Sequence, residues 1–180
     1  RPRQDFGIPP LTLVPPYPDL PMEEVYPRQA RTTIPEVYMH EVGKGRVVYF
    51  PWDIDRIFWE VLCVDHGRLL ANAARWATNE PPVVCVDGKG VLDVTVWRQA
   101  RSVTVHLVNL TNPMMMKGPL REFTASGPFE VTVRLPNSVA ASGARLLTAG
   151  VPVQMDVRAD QVTVRIPVVD CHEVVAIELR

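Results

Sequence analysis

Trp52, Asp53, Asp55, Trp59, Glu60 and Asp65 crowd carboxylates and indoles into one short stretch. Glycoside chemistry uses two carboxylates flanking the bond to be cut, with aromatic faces nearby to meet sugar rings. A simpler use competes. Asp53, Asp55 and Asp65 each precede an expected helix, where a carboxylate can cap free backbone N–H groups. Capping accounts for all three without catalysis. Two indoles and two carboxylates also make the segment 52–59 amphipathic, suited to an interface with a polar rim. Trp52, Asp53, Asp55 and Trp59 are therefore expected to form an interface, or to wall a neighbouring cleft, rather than to supply a catalytic pair.

Other chemistries find less support. Gly43-Lys44-Gly45 and Gly88-Lys89-Gly90 lack a third glycine and a following helix, the parts of a phosphate loop. Both are expected to be hairpin turns. Cys63 and His66 stand at helical spacing, Cys171 adjoins His172, and His106 lies mid-strand. No G-x-S-x-G elbow surrounds any serine. The four histidines, spread from His40 to His172, lack the paired spacing of a metal site. No metal or cofactor site is expected. Asn109-Leu110-Thr111 matches a glycosylation acceptor and is read as a chance match. Met114-Met115-Met116 cannot all face one core, so part of that run is expected to pack over a neighbouring surface.

The 180 residues carry a formal charge of -1. Residues 1–80 hold 9 basic and 11 acidic side chains, and the remainder 10 and 9. Neither half has the clustered cations that hold nucleic acid or an anionic membrane. No apolar run reaches the roughly 18 residues of a membrane span. Cys63, Cys85 and Cys171 cannot pair completely. Cys63 and Cys85 lie among apolar residues and are expected to be reduced core thiols, which leans toward a cytoplasmic protein.

These residues must be positioned by unequal parts. Nine of the 18 prolines fall in residues 1–35, which excludes a helix or a central strand there. An extended arm is expected, anchored by Tyr17, Leu20, Met22, Val25 and Tyr26. A hairpin follows, with strands at 35–42 and 46–51. Helices are expected at 56–62 and from Asp65 to about Thr78, the second placing Leu69, Ala73, Trp76 and Ala77 on one face, widened by Leu70 and Ala74. Pro81-Pro82 marks a boundary. Beyond it, alternation predicts strands at 83–86, 91–98, 102–110, 129–135, 144–147, 151–157, 161–166 and 172–179. Eight short antiparallel strands in about 100 residues read as a β-sandwich. Residues 83–180 should be self-sufficient, whereas 1–80 contain too little to bury Trp52, Phe58, Trp59, Leu69 and Trp76.

Two segments carry a family resemblance. The run from Gly43 through Arg46-Val47-Val48-Tyr49-Phe50-Pro51-Trp52-Asp53, with the helix bearing Gly67-Arg68-Leu69-Leu70-Ala71-Asn72-Ala73, resembles the end of the β-galactosidase trimerisation domain. The run Val105-His106-Leu107-Val108-Asn109-Leu110-Thr111-Asn112-Pro113-Met114-Met115-Met116-Lys117-Gly118 resembles the C-terminal β-sandwich of glycoside hydrolases related to family 42 β-galactosidases. The resemblance covers about residues 10–180. It implies an α+β fragment: the closing piece of a flavodoxin-like (class I glutamine-amidotransferase-like) α/β domain in residues 1–80, then an antiparallel β-sandwich in 83–180. In that family the catalytic glutamates sit on a (β/α)8 barrel that is not in this sequence, so no catalytic residue carries over. The trimerisation domain is itself catalytically empty, and Cys63 is expected inside a helix rather than at a strand-to-helix elbow.

The expected role is thus a non-catalytic oligomerisation and support region, from the C-terminal end of a larger carbohydrate-active enzyme. Its expected partners are the catalytic barrel of the same polypeptide and further copies of itself. The competing reading is a carbohydrate-binding β-sandwich module. That role needs a row of exposed aromatics, and residues 83–180 offer only Trp97, Phe123 and Phe129.

Overall fold

A computed structural model describes residues 10–29, 32–112, 122–136 and 139–180. The methionine run and residues 137–138 lie outside the described residues. The chain divides into two compact units, Arg1–Pro81 and Pro82–Arg180.

The first unit opens on the proline-rich arm. Among its described residues the only regular element is a 3₁₀ turn at Met22–Glu24, in keeping with the loss of backbone donors. Leu11–Leu13 runs antiparallel beside Ile34–Glu36: Leu13 N–H donates to the Ile34 carbonyl, and Glu36 N–H donates to that of Leu11. The expected anchors Tyr17, Leu20, Met22, Val25 and Tyr26 are all exposed. Strands β1 (Tyr38–Val42) and β2 (Gly45–Tyr49) form an antiparallel hairpin with Val42 opposite Gly45. Gly43 takes φ +60° in its two-residue turn, a conformation glycine adopts without strain.

Helix α1 (Ile54–Val61) begins two residues earlier than expected, and α2 (Val64–Thr78) follows at once. Leu62 and Asn79 close them in the left-handed conformation, at φ 54° and 52°. Cys63 is therefore the junction residue that precedes α2, not a mid-helix residue as expected. Gly67 lets the helices approach closely, because a Cβ there would stand 3.0 Å from the Phe58 ring. Leu69, Leu70, Ala73, Trp76 and Ala77 are half-buried, whereas Ala74 is exposed and lies outside the stripe.

The second unit consists of two antiparallel sheets. One orders its strands β3 (Val84–Gly88), β6 (Phe129–Arg134), β10 (Gln161–Ile166) and β9 (Met155–Arg158). The other runs β4 (Leu92–Arg98), β5 (Ser102–Asn109), β11 (His172–Leu179), β7 (Ala141–Leu146) and β8 (Val151–Pro152). Alternate residues of the central strands face one shared core. Val105, Leu107, Val131, Val133, Val162, Val164, Ile166, Val175 and Ile177 are fully enclosed there. The arrangement is a β-sandwich.

Three expectations fail on this sheet order. Gly88-Lys89-Gly90 is no hairpin turn, since β3 and β4 belong to different sheets. It is a crossing, and a crowded one: a Cβ on Gly88 would come within 2.8 Å of the Pro128 carbonyl oxygen, and one on Gly90 within 2.7 Å of Thr111 Oγ1. The expected strand 151–157 is two strands, with the chain changing sheets between Pro152 and Met155. Cys85 is exposed rather than core, because Val84 and Val86 take the inward positions of β3.

Asn109 ties the crossings together. It is 4% exposed. Its Nδ2 donates to the carbonyls of Thr124 (2.9 Å), Val169 (3.2 Å) and Asp170 (2.6 Å), and its Oδ1 accepts from Thr111 N–H (3.0 Å). A glycan on Nδ2 would displace those bonds, so the acceptor motif is incompatible with this fold.

Two stability outcomes follow. Asn109→Ala should destabilise the chain by about 2 kcal/mol, since it removes a buried amide that bonds the Thr124 and Asp170 carbonyls and the Thr111 N–H. Gly90→Ala should cost more than about 1 kcal/mol, from lost room and from a φ of +130°. Both are read by urea unfolding, and a Gly90→Ala midpoint equal to that of the parent would show that the crossing can relax.

Candidate functional site

The segment 52–59 bridges the end of the hairpin and the body of α1. Its residues separate onto different sides. Trp52 is half-buried: its indole Nε1–H donates to the Glu36 carbonyl at 3.0 Å, and its ring meets His66 edge-on at 5.5 Å. Phe50 packs on it at right angles, with centroids 6.1 Å apart. Trp52 therefore fastens α1 and α2 to the chain before the hairpin. Trp59, by contrast, is 63% exposed.

Asp55 and Trp59 stand four residues apart on α1, the spacing that puts two side chains on one helix face. Asp53, Arg56 and Glu60 make a second stripe. Arg56 Nε donates to Asp53 Oδ2 at 2.6 Å, and its Nη1 lies 3.8 Å from Glu60 Oε1. The hydrogen bond to Asp53 and that carboxylate's charge, then Glu60, hold the Arg56 guanidinium above its ordinary pKa.

Capping does not explain the aspartates. Asp53 occupies the N-cap of α1 but makes no side-chain bond to the helix N–H groups. Asp55 and Asp65 lie inside the first turns of α1 and α2, not ahead of them. Their carboxylates instead sit near the positive ends of the helix dipoles, and Asp65 Oδ1 accepts from Arg68 at 3.1 Å. The expectation of capping came from placing both helix starts too late in the sequence.

Around α1 the surface is apolar. Val61 and Val64 are 64% and 63% exposed. Beside them a groove of about 570 Å³ runs between the helices, lined by Phe58, Leu62, Val64, Gly67 and Ala71, with Arg68 and Arg75 at its edge. Of the carboxylates and indoles noticed in the sequence, Asp55, Trp59 and Glu60 thus belong to the surface of α1, while Trp52 is an internal anchor. Val61 was missed in the sequence because a helix of eight residues is too short for periodicity to separate its covered face from its open one, and Val64 because the start of α2 was placed after it.

Arg46 sets the far end of α2. Its Nη1 donates to Asn79 Oδ1 at 2.7 Å and to the Trp76 carbonyl at 3.2 Å, and its guanidinium lies 5.2 Å from the Trp76 ring centroid. A cation there suits the negative end of the helix dipole.

The other candidates are not assembled into catalytic pairs. His66 meets Cys63 through a backbone bond, its N–H donating to the Cys63 carbonyl at 3.1 Å, and no hydrogen bond joins Sγ to the imidazole among the described residues. His172 stacks on His106 at 5.5 Å rather than engaging Cys171. Among the described residues no three His, Cys, Asp or Glu side chains converge as metal ligands, and no helix is long and apolar enough to cross a membrane. Of the aromatics in the sandwich, Phe129 is core at 2% exposure, while Trp97 and Phe123 are exposed. Trp97 belongs to β4, and Phe123 to the connection before β6.

No family model matches the chain, and no curated protein matches it in sequence. Among solved structures its fold is similar to that of the alpha-L-fucosidase isoenzyme 2 from Paenibacillus thiaminolyticus, with a TM-score of 0.68 and 16% sequence identity. The likeness covers 87% of this chain and 24% of that one, so the chain spans about a quarter of the length of the protein it matches. At this identity the likeness is one of fold, and it does not reach family 42, β-galactosidases or trimerisation. The fold of this chain occurs within a glycoside hydrolase.

Proposed function

We propose that this chain is a non-catalytic oligomerisation and support region of a β-galactosidase-like glycoside hydrolase, acting on carbohydrate. The observation that carries the reading is the uneven distribution of burial. Among the described residues, Val37 and Ile54 are the only buried hydrophobic side chains of Arg1–Pro81, while every other one belongs to Pro82–Arg180. The first unit leaves Leu20, Met22, Val42, Val47, Tyr49, Trp59, Val61 and Val64 at least half exposed. Exposed apolar surface on that scale marks a surface meant to be covered.

In this reading, residues 1–80 are the closing piece of a flavodoxin-like, trimerisation-type domain whose remaining strands lie elsewhere in the same polypeptide. The hairpin and two helices supply one end of it. Asp53, Asp55 and Trp59 meet the catalytic barrel of the same polypeptide or of a neighbouring copy, and Trp52 holds α1 at the angle that presents them. The groove beside Phe58 and Gly67 receives an apolar side chain from that partner. The β-sandwich in 83–180 is the rigid support. The fold likeness to part of a fucosidase supports the support role, because a quarter-length piece accompanies the rest of that enzyme.

Trp59→Asp separates this reading from a merely structural helix. At 63% exposure, Trp59 contributes little to the stability of the chain alone, within about 0.5 kcal/mol. An interface tryptophan contributes about 2 kcal/mol or more to association. The variant, made in the protein encoded by the complete reading frame, should weaken assembly by about thirtyfold in sedimentation velocity while the chain alone melts as before. Unchanged assembly with normal glycosidase kinetics would remove α1 from any interface. The chain alone, offered a panel of aryl glycosides, should give no turnover. Turnover lost on Asp53→Asn would sink the proposal.

A further inference from the structure

We infer a ligand site in the seam between the two sheets of the sandwich, suited to a small carboxylate with an apolar body. β3 and β4 are edge strands on the same side of the two sheets. Between their ends lies a cleft of about 500 Å³. Its volume is in the range of small-molecule sites. Val103 and Leu135, buried at 4% and 5%, form the floor, and Val83 and Val96 form walls. The floor is the sandwich core itself, open to solvent at this one edge.

The charge in the cleft is of one sign. Arg98 and Arg134 line it, and no carboxylate does. Arg134 is partly matched: its Nη1 donates to Asp160 Oδ2 at 2.5 Å, while its buried Nε has no hydrogen-bond partner among the described residues. Arg98 has no ion pair among the described residues. Its place is also unusual. Leu92, Val94 and Val96 take the inward register of β4 and pack on the core, and Arg98 is the next residue of that series. A guanidinium at the end of a core-facing row breaks the apolar pattern where the cleft opens. Arginine offers a planar fork that matches a carboxylate through two parallel hydrogen bonds. A ligand that lays a short hydrocarbon body over Val103 and Leu135 and turns its carboxylate to Arg98 would satisfy both features at once. A neutral apolar ligand would leave the cation unused, and a polyol would waste the floor.

This inference is independent of the proposed support role. The test uses the whole chain, labelled with ¹⁵N, with octanoate as the probe and octanol as its neutral counterpart. Octanoate should shift the amide signals of Val83, Val96, Val103 and Leu135, and bind at least about tenfold more tightly than octanol. Arg98→Gln should abolish that preference while leaving octanol binding unchanged. Val96→Phe, which fills the cleft, should block both probes. If Val96→Phe fails to fold, Arg98→Gln decides alone. Equal affinity for octanol and octanoate, shifts centred elsewhere, or an Arg98→Gln variant that keeps its preference would each overturn the site.

Discussion

The interaction on which the second unit depends is the burial of β-branched side chains between its two sheets. Val131 and Val133 on β6 meet Val162 and Val164 on β10 in register, while Val105 on β5 lies opposite Val175 on β11. Each fully enclosed valine or leucine contributes about 1.5–3 kcal/mol of transfer free energy, and the strict period of two keeps every one on the same face. A one-residue slip in any central strand would turn that whole set into solvent. The core therefore sets the register as well as the stability. The crossings then have little freedom: Gly88 and Gly90 take up the tight passages, and Asn109 supplies the donors that three adjoining carbonyls need.

That dependence explains which parts of the fold were legible in the residues. Strands 161–166 and 172–179 were placed correctly to the residue, the first because Val162, Val164 and Ile166 alternate strictly. Sheet membership was not legible. A short glycine-rich link between two strands looks the same whether the strands pair with each other or pass to opposite sheets, and only long-range pairing decides. Gly88-Lys89-Gly90 was misread for that reason. The strand at 151–157 was misread likewise, since Val151, Val153, Met155 and Val157 keep a period of two across a change of sheet. The helix starts failed differently. Asp53, Asp55 and Asp65 each suit a cap, and side-chain type alone does not say which of several neighbouring acids begins the helix.

Among the described residues the first unit lacks such a core, and its candidate site was correspondingly harder to read. Composition singled out the segment 52–59, but could not say which indole faces inward. The hydrogen bond from Trp52 to the Glu36 carbonyl and its edge contact with His66 settle that. They also change what a substitution at each position means. Trp52 joins the arm, α1 and α2, so altering it reports on folding. Trp59 touches little within its own unit, so altering it reports on whatever covers it.

The carboxylates of this surface argue in the same direction. A glycosidase pair needs its two acids in unlike environments, one of them desolvated enough to keep a proton at neutral pH. Asp53 and Glu60 are both open to water, at 54% and 57% side-chain exposure, and share one guanidinium. An exposed ion pair of this kind contributes little to stability, about 0–1 kcal/mol. In the proposed interface role it would serve as a rim, because charges that stay hydrated beside an apolar contact restrict which partner can sit there. Trp59 is exposed on α1, and the Asp53–Arg56–Glu60 stripe lies on or at the start of the same short helix. Asp53 and Glu60 thus form an exposed, ion-paired stripe on the helix that carries Trp59, and not the unlike pair that breaking a glycosidic bond requires.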